Sequence, residues 1–138
     1  MFDLYYAAFW AILVMILTVM VQSLIAATVK ASQPDAVPGK IDDALSHSSF
    51  VFRANRTFSN SLENITMMLG AAFLAILVSA DPLWVTILVW VMAVARIIHM
   101  MLYYCIATEK NPSPRSYFFL IGFFANITLL VVCALVLI

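Results

Sequence analysis

Four apolar runs restrict what this chain can fold into. Residues 4–29, 65–80, 83–95 and 117–138 carry almost no charge. A helix needs about 20 mainly apolar residues to cross a hydrocarbon core of roughly 30 Å, and a spanning strand would show an alternation that these runs lack. The rest of the composition agrees: 65% of residues are hydrophobic and 10% are charged, with a mean hydropathy of +1.06. The sequence therefore predicts an all-α membrane protein, a single domain over residues 1–138 with four transmembrane helices at about 4–29, 47–79, 83–108 and 115–137. The first run is longer than a signal peptide's apolar stretch and lacks its basic start, so it is expected to be retained.

Lysine and arginine cluster between the first and second helices (Lys30, Lys40, Arg53, Arg56) and between the third and fourth (Lys110, Arg115). The positive-inside rule places both basic loops in the cytoplasm and both termini outside, in the inner membrane if the host is bacterial. The 7 basic and 7 acidic residues cancel, which leaves no electrostatic footprint for nucleic acid. Cys105 and Cys133 show no metal-ligand spacing and read as packing residues. The Asn-x-Thr triplets at Asn55, Asn64 and Asn126 fall in predicted helices and are discounted as glycosylation sites.

The breaks between helices have their own chemistry. "KASQPDAVPGKIDD" reads as a solvated loop. Serines at 46–49 can cap the second helix, which at over 30 residues should project past the hydrocarbon. Asp81-Pro82 forms a short turn, with proline at the first turn of the third helix. Trp84 and Trp90 mark that helix's outer end, Trp84 being the better interface anchor. "EKNPSP" at 109–114 makes the last break.

Within this frame "FRANRTFSNSLENI" at 52–65 is out of place. On a helix, Arg53, Arg56, Asn60, Glu63 and Asn64 fall within an arc of about 100°. "RIIHMMLYY" puts Arg96, His99 and Tyr103 within about 60°. At 1.5 Å per residue from the 79–82 turn, Glu63 and His99 both lie roughly 27 Å away, and Asn60 and Tyr103 roughly 32–33 Å. Ionisable groups at this depth normally face a bundle interior or cavity. One polar site at the cytoplasmic edge, drawn from three helices, accounts for them. The competing account is structural: Glu63 neutralises Arg96 or a neighbouring arginine, and the asparagines pin helices together. His47, beside a solvated loop, is given no role.

No carboxylate pair, His/Cys metal cluster or Ser-His-Asp set is visible, and no metal is expected. Several arginines with one glutamate suit a small ligand that carries carboxylates and an amine. Arg115, at the first turn of the fourth helix, adds its charge to the positive helix end and would favour a bound thiolate.

"RTFSNSLEN" fits the R-x-x-x-N-x-x-E signature of the MAPEG family, membrane-associated proteins in eicosanoid and glutathione metabolism. "ARIIHMMLYY" with "PSPRS" is similar to that family's third helix and the start of its fourth. The resemblance implies a microsomal glutathione transferase-like homotrimer that binds glutathione between subunits as a cosubstrate. Arg56, Asn60 and Glu63 would hold its polar groups, with Arg53 and Arg96 beside them, and His99 and Tyr103 would complete the pocket. Arg115 would stabilise the thiolate, with Ser116 as a donor to sulfur. A lipophilic substrate would arrive from the membrane lipids. Phe119 departs from the tyrosine some members carry, the 109–114 link looks longer than in the eicosanoid synthases, and Lys30 only roughly matches an arginine at the end of their first helix. These differences argue against a dedicated prostaglandin or leukotriene synthase and leave a general glutathione transferase or peroxidase open. The family also contains a non-enzymatic lipid-binding member, so a non-catalytic scaffold is the alternative. An exporter of lipophilic cations is disfavoured, because Glu63 would be its only carboxylate and arginines surround it.

Overall fold

The computed structural model describes residues 2–138. A short 3-10 turn, Asp3–Tyr5, leads into α1 (Tyr6–Ala31); α2 (Phe50–Leu77), α3 (Pro82–Cys105) and α4 (Pro114–Leu137) follow. All four helices are long and apolar enough to cross a membrane. The second has the lowest mean hydropathy, 1.3 against 2.1–2.7 for the others, because it carries the polar stripe.

Local chemistry sets the ends. Ser49 caps α2 by accepting from the Phe52 N–H, so the helix starts at Phe50 and runs 28 residues, shorter than the sequence reading. It closes with Ser79 at φ 58° and bonds from the Ala80 N–H to the Ala75 carbonyl and from the Ser79 N–H to the Ile76 carbonyl. This is a Schellman ending, with serine at the left-handed position that glycine usually occupies. Asp81 Oδ1 caps α3 by accepting from Leu83 N–H (3.0 Å) and Trp84 N–H (3.2 Å). α3 ends at Cys105, three residues before the expected 108. Ser113 and Ser116 join hydroxyls at 3.0 Å to start α4.

The helices run up, down, up and down. Tyr5 donates its hydroxyl to the Ala80 carbonyl, which ties the start of α1 to the α2–α3 turn. Trp90 donates to the Ala7 carbonyl at 2.9 Å, leaving Trp84 as the exposed one of the two α3 tryptophans. The core of this half is small: Ala8, Ala11, Ala71, Ala72 and Ala75 are buried with Met15 and Met92. Small side chains let helix backbones approach closely, which is how apolar helices associate where water supplies no hydrophobic drive. Cys133 is buried in this packing, whereas Cys105 ends α3 and is exposed. The polar residues gather at the opposite end, where α2 and α4 begin and α3 ends.

Candidate functional site

The stripe on α2 separates into two edges. Arg53, Thr57, Ser61 and Asn64 are buried inside the subunit, while Arg56 and Glu63 are exposed on its flank and Asn60 lies between. The inner edge holds helices together. Arg53 Nη1 donates to the carbonyls of His47 (2.7 Å) and Ser48 (3.0 Å), and Nη2 to that of Tyr104 (3.3 Å). It thus fastens the segment before α2 to the last turn of α3, whose carbonyls have no helical partner. Arg53 does not line the cleft described below.

Arg96, the other inner arginine, is 5% exposed. Its Nη2 donates to Asn60 Oδ1 (2.9 Å) and Ser61 Oγ (2.7 Å). An ion pair between Glu63 and Arg96 was one sequence reading; the structure replaces it with this neutral hydrogen-bonded contact. Among the described residues the one acid–base contact within ion-pair distance is His47–Glu109, at 3.8 Å, and Glu63 has none. The surrounding of Glu63 by arginines is likewise absent as direct pairing. Asn60 spends its oxygen on Arg96, which leaves its amide N–H groups as donors.

The outer edge faces a cleft of about 350 Å³ lined by His47, Arg56, Asn60, His99, Tyr103, Arg115, Ser116 and Phe119. Its size falls within the range of small-molecule sites, about 300–1,000 Å³. Three helices and the end of the first loop contribute. The level pairing of Asn60 with Tyr103 inferred from helix rise is realised, since both line it. The Arg115 guanidinium stacks over the Tyr103 ring at 3.8 Å from its centroid. His99 is 4% exposed, packs edge-on against Tyr103, and its Nδ1 has no hydrogen-bond partner among the described residues. Ser116 Oγ accepts from the Ser113 N–H at 3.3 Å; when Ser113 Oγ donates to it, its own proton is free for a ligand.

The sequence reading missed His47. It belongs to no helix, so no periodicity marked it, yet its Nδ1 lies 2.9 Å from the Tyr103 hydroxyl. The weak signal was position: two residues before a helix cap, on the approach to the polar stripe.

The lining carries two guanidiniums, two imidazoles, an amide, a phenol and a hydroxyl, and no carboxylate. That donor set fits an anionic small molecule, because arginine and amide N–H groups bind carboxylates while nothing repels them. The orphaned His99 Nδ1 offers one further polar contact. Among the described residues no group of His, Cys, Asp and Glu could hold a metal ion.

Fold and site together define an integral multi-pass membrane protein of four helices, with a cleft lined by basic and polar side chains at one end of the bundle. The MAPEG family profile matches residues 7–135, and the chain belongs to that family. No curated protein and no solved structure gives a match.

Proposed function

We propose that the chain is a glutathione-dependent transferase or peroxidase acting on lipophilic electrophiles. The observation that carries this reading is the meeting of Arg56, Asn60, His99, Tyr103, Arg115 and Ser116 around one cleft free of carboxylates. Arg56 and the Asn60 amide would hold the tripeptide's carboxylates. Arg115 would place its charge, with the positive end of α4, against the sulfur, and Ser116 would donate to it. Arg53 and Arg96 support these residues from behind. The lipophilic acceptor would use the apolar groove of about 290 Å³ on the same helix pair, lined by residues such as Trp90, Val94, Ile98, Phe118 and Ile121.

Glu63 has its place in a homotrimer. It is exposed on a membrane-crossing helix and has no ion-pair partner among the described residues, and ionisable side chains on such helices normally face protein or a water-filled cavity rather than lipid. A neighbouring subunit laid against this flank would cover Glu63 and let it complete the neighbour's site by accepting from an ammonium. The basic end of the bundle would face the cytoplasm, with both termini outside.

Phe119 favours a second reading, a lipid- or ligand-binding scaffold without turnover, because it lines the cleft where a hydroxyl could have assisted the sulfur. Thermal stability of the detergent-purified protein, titrated with reduced glutathione, tests the site. A ligand that binds only the folded state stabilises it by about 2.7 kcal/mol at 100 times Kd. An upward shift that grows with the logarithm of glutathione concentration above Kd, lost in Arg56→Ala, is expected. No shift up to millimolar glutathione would overturn the glutathione reading. A shift without turnover of any electrophile would favour the scaffold.

A further inference from the structure

We propose that His47 is the proton acceptor of this site, working through the Tyr103 hydroxyl. The identity of the thiol rests on the glutathione reading above; the proton path rests on the geometry. His47 Nδ1 is 2.9 Å from Tyr103 Oη, and its Nε2 is 3.8 Å from Glu109 Oε2. A carboxylate, an imidazole and a phenol thus form a row from the α3–α4 loop into the cleft.

His47 lies in a loop, but it is held like a helical residue. Arg53 grips its carbonyl at 2.7 Å. Phe52 packs edge-on at 5.1 Å between ring centroids, and the Tyr103 ring lies 5.6 Å away. A segment with no other task would not draw three side chains from two helices.

The row also sets the direction of proton flow. A neutral imidazole has one donor and one acceptor nitrogen. Glu109 Oε2, 3.8 Å from Nε2, is beyond hydrogen-bond reach, but its negative charge favours the tautomer protonated at Nε2, in which Nδ1 accepts. Tyr103 therefore donates its O–H to Nδ1, and its oxygen keeps a lone pair for whatever occupies the cleft. Arg115 stacks on Tyr103, and Arg56 and His99 line the same space, so the charged and titratable neighbours of the row are Glu109, Arg53, Arg56, Arg115 and His99. Of the two imidazoles only His47 has a carboxylate within ion-pair distance.

In the step that follows, a bound thiol gives its proton to Tyr103 Oη as Tyr103 gives its own to His47 Nδ1. The S–H bond and the old O–H bond break; a new O–H and an N–H bond form. A thiolate is left beside Arg115 and an imidazolium beside Glu109. The His47 side chain is 24% exposed, so it can return the proton to water. Arg115 supplies charge but no acceptor, and His47 supplies the acceptor.

The test compares wild type, His47→Ala, His47→Asn and Tyr103→Phe as full chains in detergent. After rapid mixing with reduced glutathione, the thiolate is followed by ultraviolet absorbance. Binding of S-methyl glutathione, which has no thiol proton, is measured by thermal shift. Asparagine can accept the Tyr103 hydrogen bond but cannot take a proton. Both His47 variants should therefore form thiolate on the order of 10²-fold more slowly, with S-methyl glutathione binding unchanged. Added imidazole should restore the rate in His47→Ala but not in Tyr103→Phe. A wild-type rate in His47→Asn would reduce His47 to a hydrogen-bonding support and overturn the proposal. Loss of S-methyl glutathione binding without imidazole rescue would overturn it equally. Should wild type bind S-methyl glutathione and form no thiolate, the proton path fails while the binding site stands. Should wild type bind neither compound, the glutathione reading fails and takes this inference with it.

Discussion

Removing Arg53 separates two roles that the sequence left joined. As a ligand clamp, its loss would weaken glutathione binding and leave the empty protein intact. The structure gives it three hydrogen bonds to backbone carbonyls and 9% exposure. Bonds from a charged donor contribute about 1.5–3 kcal/mol each. Three would sum to about 4–9 kcal/mol, but the His47 and Ser48 carbonyls lie at a loop that water can reach, and the guanidinium recovers hydration on unfolding. An expected loss of about 2–4 kcal/mol for Arg53→Ala allows for both effects. Lysine should recover little, because an ammonium cannot reach both His47 and Tyr104 with one planar fork. Equilibrium unfolding in mixed micelles, without ligand, measures this directly, and Arg56→Ala serves as the opposite case. Unchanged stability of Arg53→Ala with reduced glutathione affinity would refute the reasoning and return Arg53 to the ligand.

Arg96→Met should change stability little, since a buried cation without a carboxylate partner contributes weakly against an apolar group of similar volume. It should nevertheless lower glutathione affinity by freeing Asn60; a double-mutant cycle with Asn60→Ala should show coupling of about 1 kcal/mol, and additive effects would contradict it. Arg115→Lys should keep part of the activity on an electrophile and Arg115→Ala much less, because lysine retains charge but stacks poorly on Tyr103; equal kcat/KM for the two would count against the assigned role. Ser79→Gly should stabilise the chain by about 0.5–1 kcal/mol, read as a raised thermal midpoint, because glycine relieves the left-handed backbone at φ 58°.

The helices were legible because hydropathy and helix length answer to one physical quantity, the thickness of a hydrocarbon layer. The meeting of Arg56, Asn60, His99 and Tyr103 was legible for a related reason: helix rise and angle place side chains before any packing is known; Arg115 was marked by its place at the start of the fourth helix, and Ser116 only by the family resemblance. The same arithmetic could not divide the stripe. Arg53 and Arg56 are one turn apart, yet one turns inward to carbonyls and the other lines the cleft, and that choice depends on where α3 ends. Helix α3 stops at Cys105 rather than 108, which brings the Tyr104 carbonyl within reach of Arg53. The competing reading of Glu63 as a partner for arginine rested on opposite charges sharing one helix face, but Glu63 is exposed on the flank of the subunit and has no ion-pair partner among the described residues. His47 was illegible, since loops have no period and its significance comes from Tyr103, 56 positions away.

The charge balance at this end of the bundle joins stability to function. Arg53, Arg56, Arg96 and Arg115 gather there, and among the described residues the one acid–base contact within ion-pair distance joins Glu109 to His47. Arg53 and Arg96 bond only neutral oxygens, and Arg53 Nε and Arg96 Nη1 are buried with no partner among the described residues, so the loss of hydration is offset in part and the charge is not neutralised. A bundle built for stability alone would place apolar side chains at these positions, as it does at the other end with Ala71, Ala75 and Met92. The excess positive charge therefore disfavours the empty protein and favours any state that brings negative charge into the cleft. A ligand with two carboxylates and a thiolate supplies it, so binding and folding should be strongly coupled. On the proposed function, the polar end would give up stability to hold a site for an anion.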